Sequence, residues 1–376
     1  MERRPLSKVN APNDLIESNY CGKIFGFHHP ESDVFNIIGT DPGHINNQQT
    51  CFLGYVSDTD IEFPKQSDVL YGIRNDFGIE FEVNGRKLKT EPYSLVLDIF
   101  SRNTGILETG QMLNKHLFLL GCGSVGSLVA LELAKAGVSN FTLVDTDELG
   151  YHNICRHQCG VSDVGRYKVN AVKDKILNIN PTAKVTTHIN VIERLPKEVF
   201  DNACLENETI LVGCGDNRES DLYANRIAHM YNIPFVSIGF WERAYAGEIF
   251  YYIPSEDMPC YQCAFGQLAF AAKPASNHRF YSNEAELEKL SFEPGISADI
   301  NFVTIIGIKL LLDLYNRNSN TYKPKVLNNL TQYTLVCNTN DPSIGGPMAE
   351  IFAHPLQVTR SIQLSFNTTC PICQNR

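Results

Sequence analysis

The alternation of apolar and polar positions changes character once along this chain. In residues 1–97 apolar positions recur every second residue in short stretches, Lys23 to Phe27, Val34 to Ile38 and Ile79 to Val83, separated by turn residues such as Asp41-Pro42-Gly43. That period predicts half-buried strands of a small, strand-rich N-terminal domain, a candidate for substrate recognition. From about residue 113, short apolar runs alternate with helical spacing. Leu117 to Leu120, Phe141 to Val144, Ile210 to Val212 and Phe235 to Ile238 read as strands, and Ser127 to Ala136 and Lys168 to Leu177 as helices. Such alternation implies βαβ units, so residues 98–376 are expected to form an α/β domain with a Rossmann-like, mostly parallel sheet. Gly247 to Ile253 reads as an antiparallel addition, and Val303 to Leu314 as a strongly apolar helix.

Composition narrows the partners. The 376 residues suffice for two or three units, and hydrophobic (43%) and charged (20%) fractions are those of a globular protein. A net charge of −10 without a long Lys/Arg run argues against nucleic acid, whose phosphates require clustered cations. The opening Met-Glu-Arg-Arg-Pro-Leu leads into no apolar signal core and no run of about eighteen apolar residues occurs, so no membrane span and a cytoplasmic location are expected. Twelve cysteines in such a chain point to metal binding and burial rather than disulfides. The adjacent His28 and His29 precede Pro30 and are expected in a turn, without a third ligand that would make them a metal site.

The first chemical signal is Gly121-Cys122-Gly123-Ser124-Val125-Gly126, which follows a predicted strand and opens a predicted helix. Gly121, Gly123 and Gly126 allow a tight turn and close approach of backbone N–H groups to phosphates at a helix N-terminus. Asp145, nineteen residues past Gly126 at the end of the next strand, can accept hydrogen bonds from ribose hydroxyls. A nucleotide follows from this; which nucleotide does not, and a nicotinamide cofactor fits as well.

The motifs that follow decide. Asp145-Thr146-Asp147, Asn153-Ile154-Cys155-Arg156-His157-Gln158, Gly165-Arg166-Tyr167-Lys168, Gly213-Cys214-Gly215-Asp216-Asn217, Cys260-x-x-Cys263 and Cys370-x-x-Cys373 occur in this order. The series resembles the ThiF/MoeB/HesA adenylating family that includes ubiquitin-activating enzymes, over about residues 98 to 376. The resemblance implies ATP-dependent activation of the C-terminal carboxylate of a ubiquitin-like protein or peptide as an acyl-adenylate, with pyrophosphate released. Arg156 and Lys168 would neutralise the phosphates, Asp216 would hold or orient Mg2+, and Asp147, Asn153 and Asn217 would line the pocket with Asp145. It also implies a homodimer in which Arg102, in Phe100-Ser101-Arg102-Asn103, reaches the partner's site.

Cys260, Cys263, Cys370 and Cys373 form two pairs with 106 residues between them, and four thiolates suit a closed, structural Zn2+ site of the kind this family carries. No cysteine lies between Cys263 and Cys337, where many relatives carry the residue that captures the acyl group, so covalent capture is not expected. Two departures put the substrate in question: His152 replaces a small hydroxyl residue, and Asp221 stands where an arginine is common, with Arg218 nearby in sequence. Other readings compatible with parts of the series are a peptide-modifying enzyme of the antibiotic-maturation type, a non-catalytic scaffold for a ubiquitin-like partner, and a nicotinamide-dependent dehydrogenase.

Overall fold

The computed structural model describes residues 7–45, 48–58, 66–205, 208–215, 217–241, 244–266, 294–338 and 359–373. The chain divides into two compact units, Met1–Thr104 and Gly105–Arg376.

In the first unit, β1 (Lys8–Pro12), α1 (Asn13–Glu17), β2 (Gly22–His29) and β3 (Val34–Gly39) are followed by a small ladder of β4 (His44–Ile45) with β5 (Gln48–Gln49). Then come β6 (Cys51–Ser57), β7 (Leu70–Asn75), β8 (Gly78–Val83) and β9 (Arg86–Tyr93). Among the described residues, seven strands close a barrel in the order β1-β3-β2-β6-β7-β8-β9, because β1 pairs in parallel with both β3 and β9. Closure removes the unpaired edges that a short sheet would expose. Alternate residues point inward, so Val9, Ile24, Ile37, Leu70 and Phe81 fill the interior. Each such burial contributes about 1.5–3 kcal/mol. His28 and His29 end strand β2 rather than sitting in the turn, and the His28 ring stacks on Phe35 at 4.0 Å between centroids. The turn begins one residue later, at Pro30. Helix α2 (Leu95–Ile99), capped by Ser94, and a 3-10 turn at Ser101–Asn103 complete this unit. Arg102 is exposed on that turn.

The second unit runs α3 (Thr109–Met112), β10 (Lys115–Leu120), α4 (Ser124–Lys135), β11 (Asn140–Val144), α5 (Lys168–Ile179), β12 (Lys184–His188), α6 (Lys197–Cys204), β13 (Glu208–Gly213), α7 (Arg218–Tyr231), β14 (Phe235–Phe240), β15 (Ala246–Tyr252), α8 (Tyr261–Phe265), α9 (Ser297–Asn316), β16 (Tyr333–Cys337) and β17 (Thr359–Ile362). Its sheet has the order β12-β11-β10-β13-β14-β15-β16-β17. The first five strands are parallel, and β15 begins the antiparallel addition. Successive side chains leave opposite faces of the sheet. Leu117 and Leu119 therefore join a core with α4, α5 and α9, while Phe118 and Leu120 join another with α6, α7 and α8. The strand order reverses at β10, which lies between β11 and β13. In such sheets the crevice at the carboxyl ends of the strands flanking the reversal is where ligands bind.

Candidate functional site

The glycine loop leaves β10 at that reversal. Gly121 has φ of +84°, and a Cβ there would lie 3.1 Å from the backbone at Cys214 and Gly215. A Cβ on Gly126 would lie 1.8 Å from the Gly121 carbonyl oxygen, so the third glycine lets α4 pack against the strand end. Nothing stands within 4 Å of the position a Gly123 Cβ would take, which leaves the loop open where α4 begins. Gly123 is the N-cap of α4 and brings no side chain to it, so the first-turn N–H groups of this helix keep their capacity to bind an anion.

Asp145, at the end of β11, accepts the Cys122 N–H at 2.6 Å and the Asp147 N–H at 2.8 Å. Burial pushes its carboxyl above the usual range, against the pull of these two donors. Oδ2 thus braces the glycine loop and Oδ1 the turn to Asp147, and each oxygen retains a lone pair for a hydroxyl donor.

Lys168 opens α5, an unfavourable place for a cation because the helix N-terminus is itself positive. Its ammonium is nonetheless mostly buried and pairs with Asp147 at 2.7 Å, the two side chains being 11% and 63% exposed. Hydrogen bonding to Lys168 lowers the Asp147 carboxyl below its ordinary value. The carboxylate therefore holds the ammonium at the carboxyl ends of the strands, close to the glycine loop.

Asn153 uses its carboxamide oxygen to accept the Gly150 N–H at 2.9 Å, which closes the 3-10 turn ahead of Arg156. The half-buried Arg156 extends beside the entry to α9, where a Cβ on Gly295 would lie 3.4 Å from Nη1. Asn217 caps α7 by accepting the Glu219 N–H at 2.9 Å. Asp216 lies outside the described residues. The loop glycines, Asp145, Asp147 and Lys168 are thus tied together by direct contacts, whereas Arg102 belongs to the other unit.

Sequence reasoning gave no role to two features. His157 is buried, with Nε2 2.7 Å from the Cys122 carbonyl oxygen and Nδ1 accepting the Cys159 N–H at 3.0 Å. The second is the network around Asp221, which is buried and accepts hydrogen bonds from Ser237 at 2.7 Å and Tyr261 at 3.2 Å. Burial pushes its carboxyl up to about 7. Arg218 donates to the Tyr261 hydroxyl at 3.3 Å, pairs with Glu248 at 2.7 Å and lies 4.7 Å above the Phe265 ring. Its charge is therefore matched by Glu248.

The four cysteines converge although their two pairs are far apart in sequence. Sγ separations are 3.9 Å for Cys260–Cys263, 3.7 Å for Cys260–Cys370 and 3.6 Å for Cys263–Cys373, and all four sulfurs lie within 4.8 Å of one another. A tetrahedron of Zn–S bonds of about 2.3 Å has sulfurs about 3.8 Å apart, so the set fits Zn2+. Of Cys155, Cys159 and Cys204, all expected from sequence to be buried small hydrophobes, Cys159 and Cys204 are buried with thiols pushed up to about 12, whereas Cys155 is exposed.

A doubly wound sheet, a glycine loop at its reversal and a carboxylate on the neighbouring strand end define a nucleotide-binding α/β protein, with a four-cysteine cluster whose geometry is compatible with zinc. The chain belongs to the ThiF family, whose model matches residues 99–350. It is 26% identical over 190 residues to ubiquitin-like modifier-activating enzyme 5 of Caenorhabditis briggsae, covering 48% of this chain and 43% of that one. The corresponding mouse enzyme is 24% identical over 192 residues, with 49% and 47% covered. The match therefore spans about half the length of these relatives. Among solved structures, E. coli MccB with succinimide is similar in fold, with a TM-score of 0.50, 18% identity and coverage of 71% of this chain and 68% of that one. Among the described residues no helix is long and apolar enough to cross a membrane.

Proposed function

We propose that this protein is an ATP-dependent adenylyltransferase acting on the C-terminal carboxylate of a ubiquitin-like protein or peptide. A carboxylate oxygen forms a bond to the α-phosphorus of ATP, the bond from that phosphorus to the bridging oxygen of the β-phosphate breaks, and pyrophosphate leaves with the electron pair. The observation that carries the reading is the buried ammonium of Lys168, held by Asp147 beside the glycine loop that Asp145 braces. A fixed cation there offsets the charge that repels an incoming carboxylate. Arg156 supplies a second cation, Asp145 the ribose contact, and Asn153 and Asn217 shape the pocket walls. Asp216 is the carboxylate to hold Mg2+, which would draw charge from the departing pyrophosphate.

The names of the curated relatives support a ubiquitin-like donor. The barrel, outside the matched residues, is assigned to donor recognition, and Arg102 to a trans contact in a homodimer. The test is ATP–pyrophosphate exchange with small proteins and peptides ending in a free glycine carboxylate, using wild type, Lys168→Ala and Asp216→Ala. Donor-dependent exchange reduced by roughly 10²–10³ in the variants is expected. ATP binding without exchange for any donor would favour a scaffold, and NADH binding in place of ATP a dehydrogenase.

A further inference from the structure

The backbone of Cys122 is gripped on both sides, with one bond on each of the two peptide units that meet there. Its N–H donates to Asp145 Oδ2 at 2.6 Å, and its carbonyl oxygen lies 2.7 Å from His157 Nε2. The tautomer follows from the other ring nitrogen. Nδ1 accepts the Cys159 N–H at 3.0 Å, and a nitrogen that accepts carries no proton. Nε2 therefore bears the hydrogen and donates it to Cys122. Burial, with the charge of Lys168 adding to it, keeps the imidazole below its ordinary pKa and so neutral. An imidazolium would lose the bond from Cys159.

Cys122 is the one residue between Gly121 and Gly123, and glycine has the widest conformational freedom of any residue. A loop of this composition reaches its phosphate-binding shape at an entropic cost unless something fixes it in advance. Fixing the N–H of the peptide unit before Cys122 and the C=O of the one after it orients both planes, and the second plane carries the Gly123 N–H at the start of α4.

We propose that His157 is a positioning residue for the nucleotide loop, acting with Asp145 as a two-sided clamp on the backbone of Cys122. The inference rests on the nucleotide reading of this site. It assigns His157 no contact with the ligand. It also requires a side chain whose donor sits where imidazole Nε2 sits.

Two variants separate this role from simple packing. The amide nitrogen of His157→Gln reaches about as far as Nε2 and keeps a donor for Cys122, whereas that of His157→Asn reaches only as far as Nδ1. Calorimetric titration of the full chain with ATP and with adenosine should show His157→Asn weakening ATP by about tenfold, with adenosine little changed and His157→Gln close to wild type. Equal ATP affinity in a folded His157→Asn variant, or equal losses for ATP and adenosine, would overturn the clamp. Absence of ATP binding by the wild type would instead sink the nucleotide reading. Nitrogen-15 NMR of histidine-labelled wild type needs no variant: a protonated Nε2 and bare Nδ1 at neutral pH are expected, and the opposite tautomer or an imidazolium contradicts the proposal.

Discussion

The two units solve the same problem, a short sheet with one or two apolar faces, in opposite ways. The barrel closes its hydrogen-bond ladder on itself, and the side chains pointing inward are Val9, Ile24, Ile37, Leu70 and Phe81. The second unit leaves its sheet open, covers both faces with helices and reverses strand order at β10. The reversal creates a crevice at the carboxyl ends of the strands, and the glycine loop, Asp145 and the Lys168–Asp147 pair converge on it. The candidate site follows the topology of the open sheet. The family match agrees, since it begins at residue 99, after the last barrel strand.

The contrast predicts effects confined to one unit or the other. The largest is expected at the cysteine centre, where Cys260→Ser should abolish bound zinc and lower the stability of the second unit by more than about 5 kcal/mol. Metal analysis with thermal melting checks this, and a metal-free wild type would contradict it. Trp241 is the only tryptophan in the chain, so its fluorescence follows the second unit alone. Phe81→Ala in the barrel, where Phe81 is 1% exposed, should cost about 3–5 kcal/mol and shift part of the circular-dichroism transition while leaving the Trp241 transition in place. A joint shift of both would show that the units unfold together.

The smallest predicted effect depends on pH. The Asp221 carboxyl, raised to about 7 by burial, keeps its proton in the folded protein over a range where the unfolded chain has already lost it. The unfolded state then binds fewer protons, so stability falls as pH climbs from about 4 to 7 and levels off above. Asp221→Asn should remove that fall and gain about 1–3 kcal/mol relative to wild type at pH 8, measured by denaturant unfolding. An unchanged slope would mean that Asp221 is ionised within its network.

Much of the second unit was legible because the hydrophobic period itself switches. The runs at Leu117, Phe141, Ile210 and Phe235 became the parallel strands β10, β11, β13 and β14, and the alternating run at Gly247 became β15, antiparallel to β14. The convergence of the four cysteines followed from their paired spacing and from family resemblance. Closure of the barrel was not legible, because alternation shows which residues point inward but not that β1 pairs with both β3 and β9. His28 and His29 lie in β2 rather than in a turn, because a proline favours extended backbone in the residue before it and the chain turns only from Pro30. The roles of His157 and Asp221 stayed hidden for a related reason. Their partners, Cys122 for one and Ser237 and Tyr261 for the other, lie 16 to 40 residues away, and only the packed sheet brings them together.

The most direct test of the proposed chemistry uses whichever donor supports exchange, labelled with oxygen-18 in its terminal carboxylate. Attack on the α-phosphorus followed by acyl transfer to an added amine predicts AMP carrying one labelled oxygen, with unlabelled pyrophosphate. Label appearing in inorganic phosphate alongside ADP would place the attack on the γ-phosphorus and contradict adenylation.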